Sequence, residues 1–167
     1  MTDSGVESNR DRAIGLLALE KRRLISASPK RVFTAWTNPA ELKKWWGPEN
    51  VRCISAEIDL RVGGRYRIAN EMPDKTVLWI EGVFEQIEEP SLLVFTWRLD
   101  TRSAQIERVT VRLLSQDQGT EVIVRHERIS TSALRDQHLH GWLGCLDGLA
   151  EYLSTLTSPG FASSRRL

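Results

Sequence analysis

From Val51 to Ile129 the chain alternates apolar and polar residues with a period of two, and no other feature constrains its fold as strongly. Turn signals interrupt the stretch at Gly63-Gly64, Pro73-Asp74, Glu89-Pro90, Thr101 to Ala104 and Gln116 to Gly119, a spacing that predicts six consecutive antiparallel strands. The clearest alternation sets Val109, Val111 and Leu113 against Thr110, Arg112 and Leu114, so one face is apolar and the other meets water. A sheet of this kind needs a cover. Thr131 to about Thr155 supplies it, because Leu139, Trp142, Leu146, Leu149 and Leu153 recur at helical spacing.

Ahead of the alternating stretch, Leu16 to Ser26 reads as one more strand. Ser28 and Pro29 then provide the cap and first-turn proline of a helix to about Thr37, which buries Val32, Phe33 and Trp36. Asn38 and Pro39 start a second short helix that reaches Trp46, where Gly47 and Pro48 stop it. The expected architecture is α+β: a curved antiparallel sheet of about seven strands, two short helices, and a long C-terminal helix over the concave face. A chain of 167 residues suits one core. Residues 14–156 are read as that single domain, 1–13 as a flexible polar leader and 157–167 as a flexible tail.

Twenty-three Lys and Arg oppose twenty-two Asp and Glu, interleaved along the chain, which argues against nucleic acid or an anionic membrane as partner. Ile14 to Leu19 is too short for a signal-peptide core or a membrane span, so the expected location is the cytoplasm. Cys53 and Cys145 are too few for a disulfide scaffold or a clustered zinc site and read as small core residues. Gly63-Gly64 has neither a P-loop lysine nor dinucleotide-binding spacing and is read as a hairpin turn; no cofactor is expected.

Several strings carry a family resemblance. Ser28-Pro29, Val32-Phe33, Ala35 to Pro39 and Trp45-Trp46-Gly47-Pro48 resemble the opening of the activator of heat-shock protein 90 ATPase homologue family, within the START-like (SRPBCC) superfamily. Asp59 to Arg67, Trp79 to Val83 and Leu93 to Trp97 resemble its second hairpin and central strands, and His138, Gly141-Trp142 and Leu146 to Leu153 its closing helix. The resemblance covers about residues 17 to 155 and implies a helix-grip fold, in which a sheet wraps a long helix. That fold hosts binding proteins, enzymes and co-chaperone domains alike, so it leaves function open.

Six tryptophans stand in every layer that would wall a central cavity: Trp36, Trp45 and Trp46 in the helix pair, Trp79 and Trp97 in strands, Trp142 in the last helix. With Trp142 pointing inward, Arg135, His138, Cys145, Leu146 and Leu149 fall within about 60° of it on a helical projection, and Gly141 is expected to let the helix approach the sheet. Val122, Val124 and His126 share one strand face, so His126 also turns inward, whereas His140 falls on the outer side. Glu107 has the parity of Val109 and Val111 but stands near a strand end, where solvent is expected. Glu107, His126 and His138 could together coordinate a metal or perform acid–base chemistry, yet they come from three elements without a local metal motif. No metal and no committed catalytic set are assigned.

The leading expectation is a binding protein that encloses a small apolar or aromatic metabolite between sheet and closing helix. Trp142, His138, His126, Arg135, Trp79, Trp97, Trp46 and Glu107 are its candidate ligand-binding residues. Two alternatives are a co-chaperone-like domain of the stress response acting on a heat-shock protein 90-type ATPase partner, and a cyclase- or hydratase-like enzyme using His126 or His138. Homodimerisation suits the fold, but no apolar stripe marks an interface.

Overall fold

Ser28 and Asn38 organise the first turn of the chain back across the sheet. In the computed structural model, which describes residues 16–99 and 105–157, the Ser28 hydroxyl accepts a hydrogen bond from the Arg31 amide and starts α1 (Pro29–Thr37). Asn38 ends α1 by donating its amide to the Thr34 carbonyl. Its side-chain oxygen then accepts from the Ala40 and Glu41 amides to start α2 (Pro39–Trp45). One residue thus caps two helices and sets the angle between them. The Trp45 indole donates to the Ala35 carbonyl at 2.9 Å and locks the pair.

The strands are β1 (Leu17–Ile25), β2 (Arg52–Ile58), β3 (Arg65–Glu71), β4 (Val77–Glu88), β5 (Leu92–Leu99), β6 (Glu107–Gln116) and β7 (Gly119–Ile129), followed by α3 (Ser132–Thr157). They form one curved antiparallel sheet in the order β1-β7-β6-β5-β4-β3-β2. Each of β2 to β7 pairs with its neighbour in sequence, and β1 closes beside β7, so α1 and α2 carry the chain from one sheet edge to the other. The Gly63-Gly64 turn between β2 and β3 holds Gly63 at φ +84°, a conformation that favours glycine. The expected leader, the tail beyond 157 and the turn at Thr101 to Ala104 lie outside the described residues.

Alternation puts Val109, Val111, Leu113, Val122 and Val124 on the inner face, where Leu146, Leu149 and Leu153 of α3 cover them. The helix packs chiefly on β1 and on α2. Its close approach is made by glycines other than the one expected. A β-carbon on Gly144 would stand 2.6 Å from the Pro48 Cα, and one on Gly148 would stand 2.6 Å from the Trp45 carbonyl oxygen. A β-carbon on Gly141 would meet nothing within 4 Å. Gly141 therefore faces a space, not the sheet. Among the described residues no helix is long and apolar enough to cross a membrane.

Candidate ligand site

Five of the six tryptophans meet in one aromatic cluster. Trp36 stacks on Trp142 with centroids 6.1 Å apart, Trp46 meets Trp142 edge-on at 5.6 Å, and Trp97 lies 5.6 Å from Trp142. The cluster fills the middle of the space between sheet and helices. Only about 20 Å³ remains among Trp36, Trp46, Tyr66, Phe84, Phe95 and Trp97, room for about one water molecule. The expected central cavity is therefore occupied by the tryptophans themselves, because their large rings fill the volume they were expected to wall.

Open space lies instead to one side of the cluster. A cleft of about 210 Å³ runs between the first half of α3, the loop after α2, and strands β3 to β5. Trp46, Trp97, Trp142 and His138 line it, with Gly141 on the helix and Leu78 and Ile80 on β4. Four of the eight candidate residues do not line it: Glu107 and His126 lie behind its wall, and Trp79 and Arg135 lie elsewhere. Trp79 has the opposite parity to Leu78 and Ile80 and lies on the outer face, with the Arg67 guanidinium 4.1 Å from its ring centre. Arg135 is half-buried and takes no part in the cleft lining. His140 is exposed, as its helical position implies.

Behind the cleft wall, Glu107, His126 and His138 come together. β5 and β6 pair Trp97 with Glu107, β6 and β7 pair Val109 with His126, and α3 brings His138 down onto both strands. Glu107 is only 5% exposed, contrary to the solvent expected at a strand end, because α3 crosses above it. One of its carboxylate oxygens, Oε1, accepts from His126 Nε2 at 2.8 Å and from His138 Nε2 at 2.9 Å. The two imidazoles stack with centroids 4.3 Å apart and planes 17° from parallel. His126 is fully buried and does not line the cleft, so it cannot meet a ligand there directly.

Trp142 decides where the protons of this chain sit. An indole nitrogen only donates, and Trp142 Nε1 donates to His126 Nδ1 at 3.0 Å. Nδ1 is therefore a bare acceptor, His126 carries its proton on Nε2, and that proton goes to Glu107. The same geometry favours hydrogen bonding over metal coordination, although the three candidate donor atoms lie within 4.8 Å of one another. A metal must lie close to the plane of each imidazole it binds, and two stacked, nearly parallel rings do not converge on such a point.

Burial pushes the Glu107 carboxyl up, but the hydrogen bonds and charges of the two histidines outweigh it and leave Glu107 below the usual carboxylate range. Burial pushes His126 down, against the pull of Glu107, so the fold holds His126 neutral. The unfolded chain then binds more protons than the folded one as pH falls below the ordinary histidine value of 6.5. His126's contribution to stability is complete above that pH and is lost as pH drops towards its lower native value; Glu107's follows below its ordinary 4.5. Urea titrations stepped downward from pH 7 are expected to show stability falling by up to about 1.4 kcal/mol per pH unit. In His126→Gln that first acid slope should flatten, and a slope equal to the parent's would show that another group carries it.

Cys145 is buried, and burial pushes its thiol up to about 12, so neither it nor the buried Cys53, also raised, suits a nucleophile's role. Sequence reasoning missed Asn70 and Gln137 in the cleft lining. Asn70 had a readable signal: it shares the inner parity of Tyr66 and Ile68 on β3, a polar residue on an apolar face. Gln137 stands next to His138 and had none.

Residues 26–154 match the family model described as activator of Hsp90 ATPase homolog 1-like protein. The chain belongs to that family. Among solved structures it is similar to a Chromobacterium violaceum protein, at 24% identity over 80% of this chain and 94% of the other, with a TM-score of 0.73. A Silicibacter pomeroyi protein of the same family is 22% identical over 83% of this chain and 99% of its own, with a TM-score of 0.73. A Rhodobacter sphaeroides protein is 24% identical over 83% and 93%, with a TM-score of 0.72. These likenesses establish the helix-grip fold and leave the activity open. No curated protein matches the chain.

Proposed function

We propose that this protein binds a small, largely apolar molecule of about one aromatic ring in the cleft beside Trp142. The observation that carries this reading is the cleft itself, an unfilled space of about 210 Å³ next to an otherwise tightly packed aromatic core. An apolar cavity of about 150 Å³ is enough to hold benzene, so the volume suits a single substituted ring better than a lipid chain or a fused polycycle. Trp97 and Trp142 offer flat apolar surface, and His138 with Gln137 offers polar contacts at the helix side, the usual division of labour in a small-molecule site.

A ligand that binds only the folded state raises its melting temperature. Substituted one-ring aromatics at about a hundred times their dissociation constant are expected to raise it by roughly 5 °C or more, and palmitate by much less. A panel of such rings that leaves the melting temperature unmoved removes the proposal.

A further inference from the structure

We infer that the cleft selects ligands bearing an acidic hydroxyl, a phenol or an enol, and that Nδ1 of His138 is the atom that accepts its proton. The inference rests on the preceding reading of the cleft as a ligand site and adds the chemistry of the ligand.

It follows from completing the proton chain. Trp142 Nε1–H donates to His126 Nδ1, His126 Nε2–H donates to Glu107 Oε1, and His138 Nε2–H donates to the same oxygen. Each side-chain nitrogen of Trp142, His126 and His138 now has a partner except His138 Nδ1. Among the described residues no hydrogen bond is made to it, and its ring is part of the cleft wall. With its proton directed to Glu107, a neutral His138 presents a lone pair at Nδ1. The open end of a chain of protein hydrogen bonds is thus an acceptor beside an apolar cleft.

The surroundings of His138 fit a proton acceptor. Glu107, on β6, accepts the proton of the far nitrogen and so fixes the tautomer that turns the Nδ1 lone pair away from it. His126, on β7, stacks on one face and is held neutral, and Trp97, on β5, meets the ring edge-on at 5.9 Å. When a ligand hydroxyl gives up its proton, its O–H bond breaks, an N–H bond forms at Nδ1, and the phenolate pairs with the new imidazolium. A phenolate that meets an already protonated His138 reaches the same complex with the same number of protons. A ligand of equal size without the acidic hydroxyl gains neither. His138 is the contacting residue. Glu107, His126 and Trp142 are positioning residues that set its tautomer.

The test compares 4-nitrophenol with 4-nitroanisole, in which a methyl group replaces the phenolic proton, both titrated into the full chain by calorimetry and absorbance. The wild type is expected to bind the phenol about tenfold more tightly, the difference expected for one hydrogen bond to a charged group. The bound phenol should also show the phenolate band at a pH where the free compound is protonated. His138→Phe keeps a ring in the wall and should bind both compounds alike, without the band. Glu107→Gln should weaken the band and narrow the ratio of the two affinities, a change in discrimination that a merely structural role would not produce. Equal affinities in the wild type, or a preference that survives in His138→Phe, overturn the inference while leaving the cleft a ligand site. Binding of neither compound overturns both readings.

Discussion

Replacing Glu107 with alanine is expected to destabilise the protein by about 3 kcal/mol, because one carboxylate oxygen is the acceptor for two imidazoles. The loss leaves His126 Nε2–H without a partner in a place where its residue is fully buried. His126 cannot escape by moving its proton to Nδ1, since the Trp142 indole already points its own N–H at that atom. A buried donor left unsatisfied costs roughly 1–3 kcal/mol, and the lost charge-assisted bond to His138 adds to it. Glu107→Gln keeps an oxygen of similar position and should cost less than half as much. Urea denaturation of both variants at pH 7 decides the matter, read as a shift in midpoint at constant slope. A cost below about 1 kcal/mol for the alanine variant would mean that water reaches the site freely and that the hydrogen-bonded chain is not what holds β6, β7 and α3 together there.

The second large effect concerns binding, not stability. Gly141→Phe is expected to reduce affinity for any one-ring ligand by more than about a hundredfold while the fold stays intact. The reason is local geometry: a β-carbon at Gly141 points into open space and the residue lines the cleft, so a phenyl group grown from it occupies the space that the ligand would take. The helix itself should gain slightly from the change, since glycine inside a helix is less favourable than alanine by roughly 0.5–1 kcal/mol and phenylalanine falls between the two. Gly144 and Gly148, one and two turns further on, make the opposite control. Side chains there would run into the Pro48 and Trp45 backbone, and Gly148→Phe should destabilise the protein strongly. Melting curves with and without ligand separate the cases. A Gly141→Phe protein that keeps its thermal shift would place the ligand outside this cleft.

Most of the fold was legible in the chain, and the reason is the local character of its signals. Ser28, Asn38 and the two prolines after them define helix starts within four residues of sequence, and the alternation from Val109 to Leu114 defines which face is inner without knowledge of any neighbour. The direction of His126 and the helical stripe of His138 and Trp142 follow from the same two periods. The family resemblance rests on particular strings, such as Trp45-Trp46-Gly47-Pro48 and Asp59 to Arg67, and the family match over residues 26–154 supports it.

What the periods could not supply was depth and distance. Parity turned Glu107 inward but could not say whether α3 would cover it, and the carboxylate is buried only because the helix crosses that strand end. Gly141 is the glycine expected to make the close approach, yet Gly144 and Gly148 make it, because the helix packs chiefly on β1 and α2. Trp36 and Trp45 fill the core, Trp46, Trp97 and Trp142 belong to the same cluster and also wall the cleft, and Trp79 lies outside because its parity on β4 sends it to the outer face. The sequence by itself determined the order of elements, their inner faces and the two histidines that turn inward. Only the tertiary structure decided that those histidines share one oxygen of Glu107, that Trp142 orders their protons, and that the open space lies beside the aromatic core. Hydrogen-bond partners and empty volumes are set by the packing of distant segments, which no local period encodes.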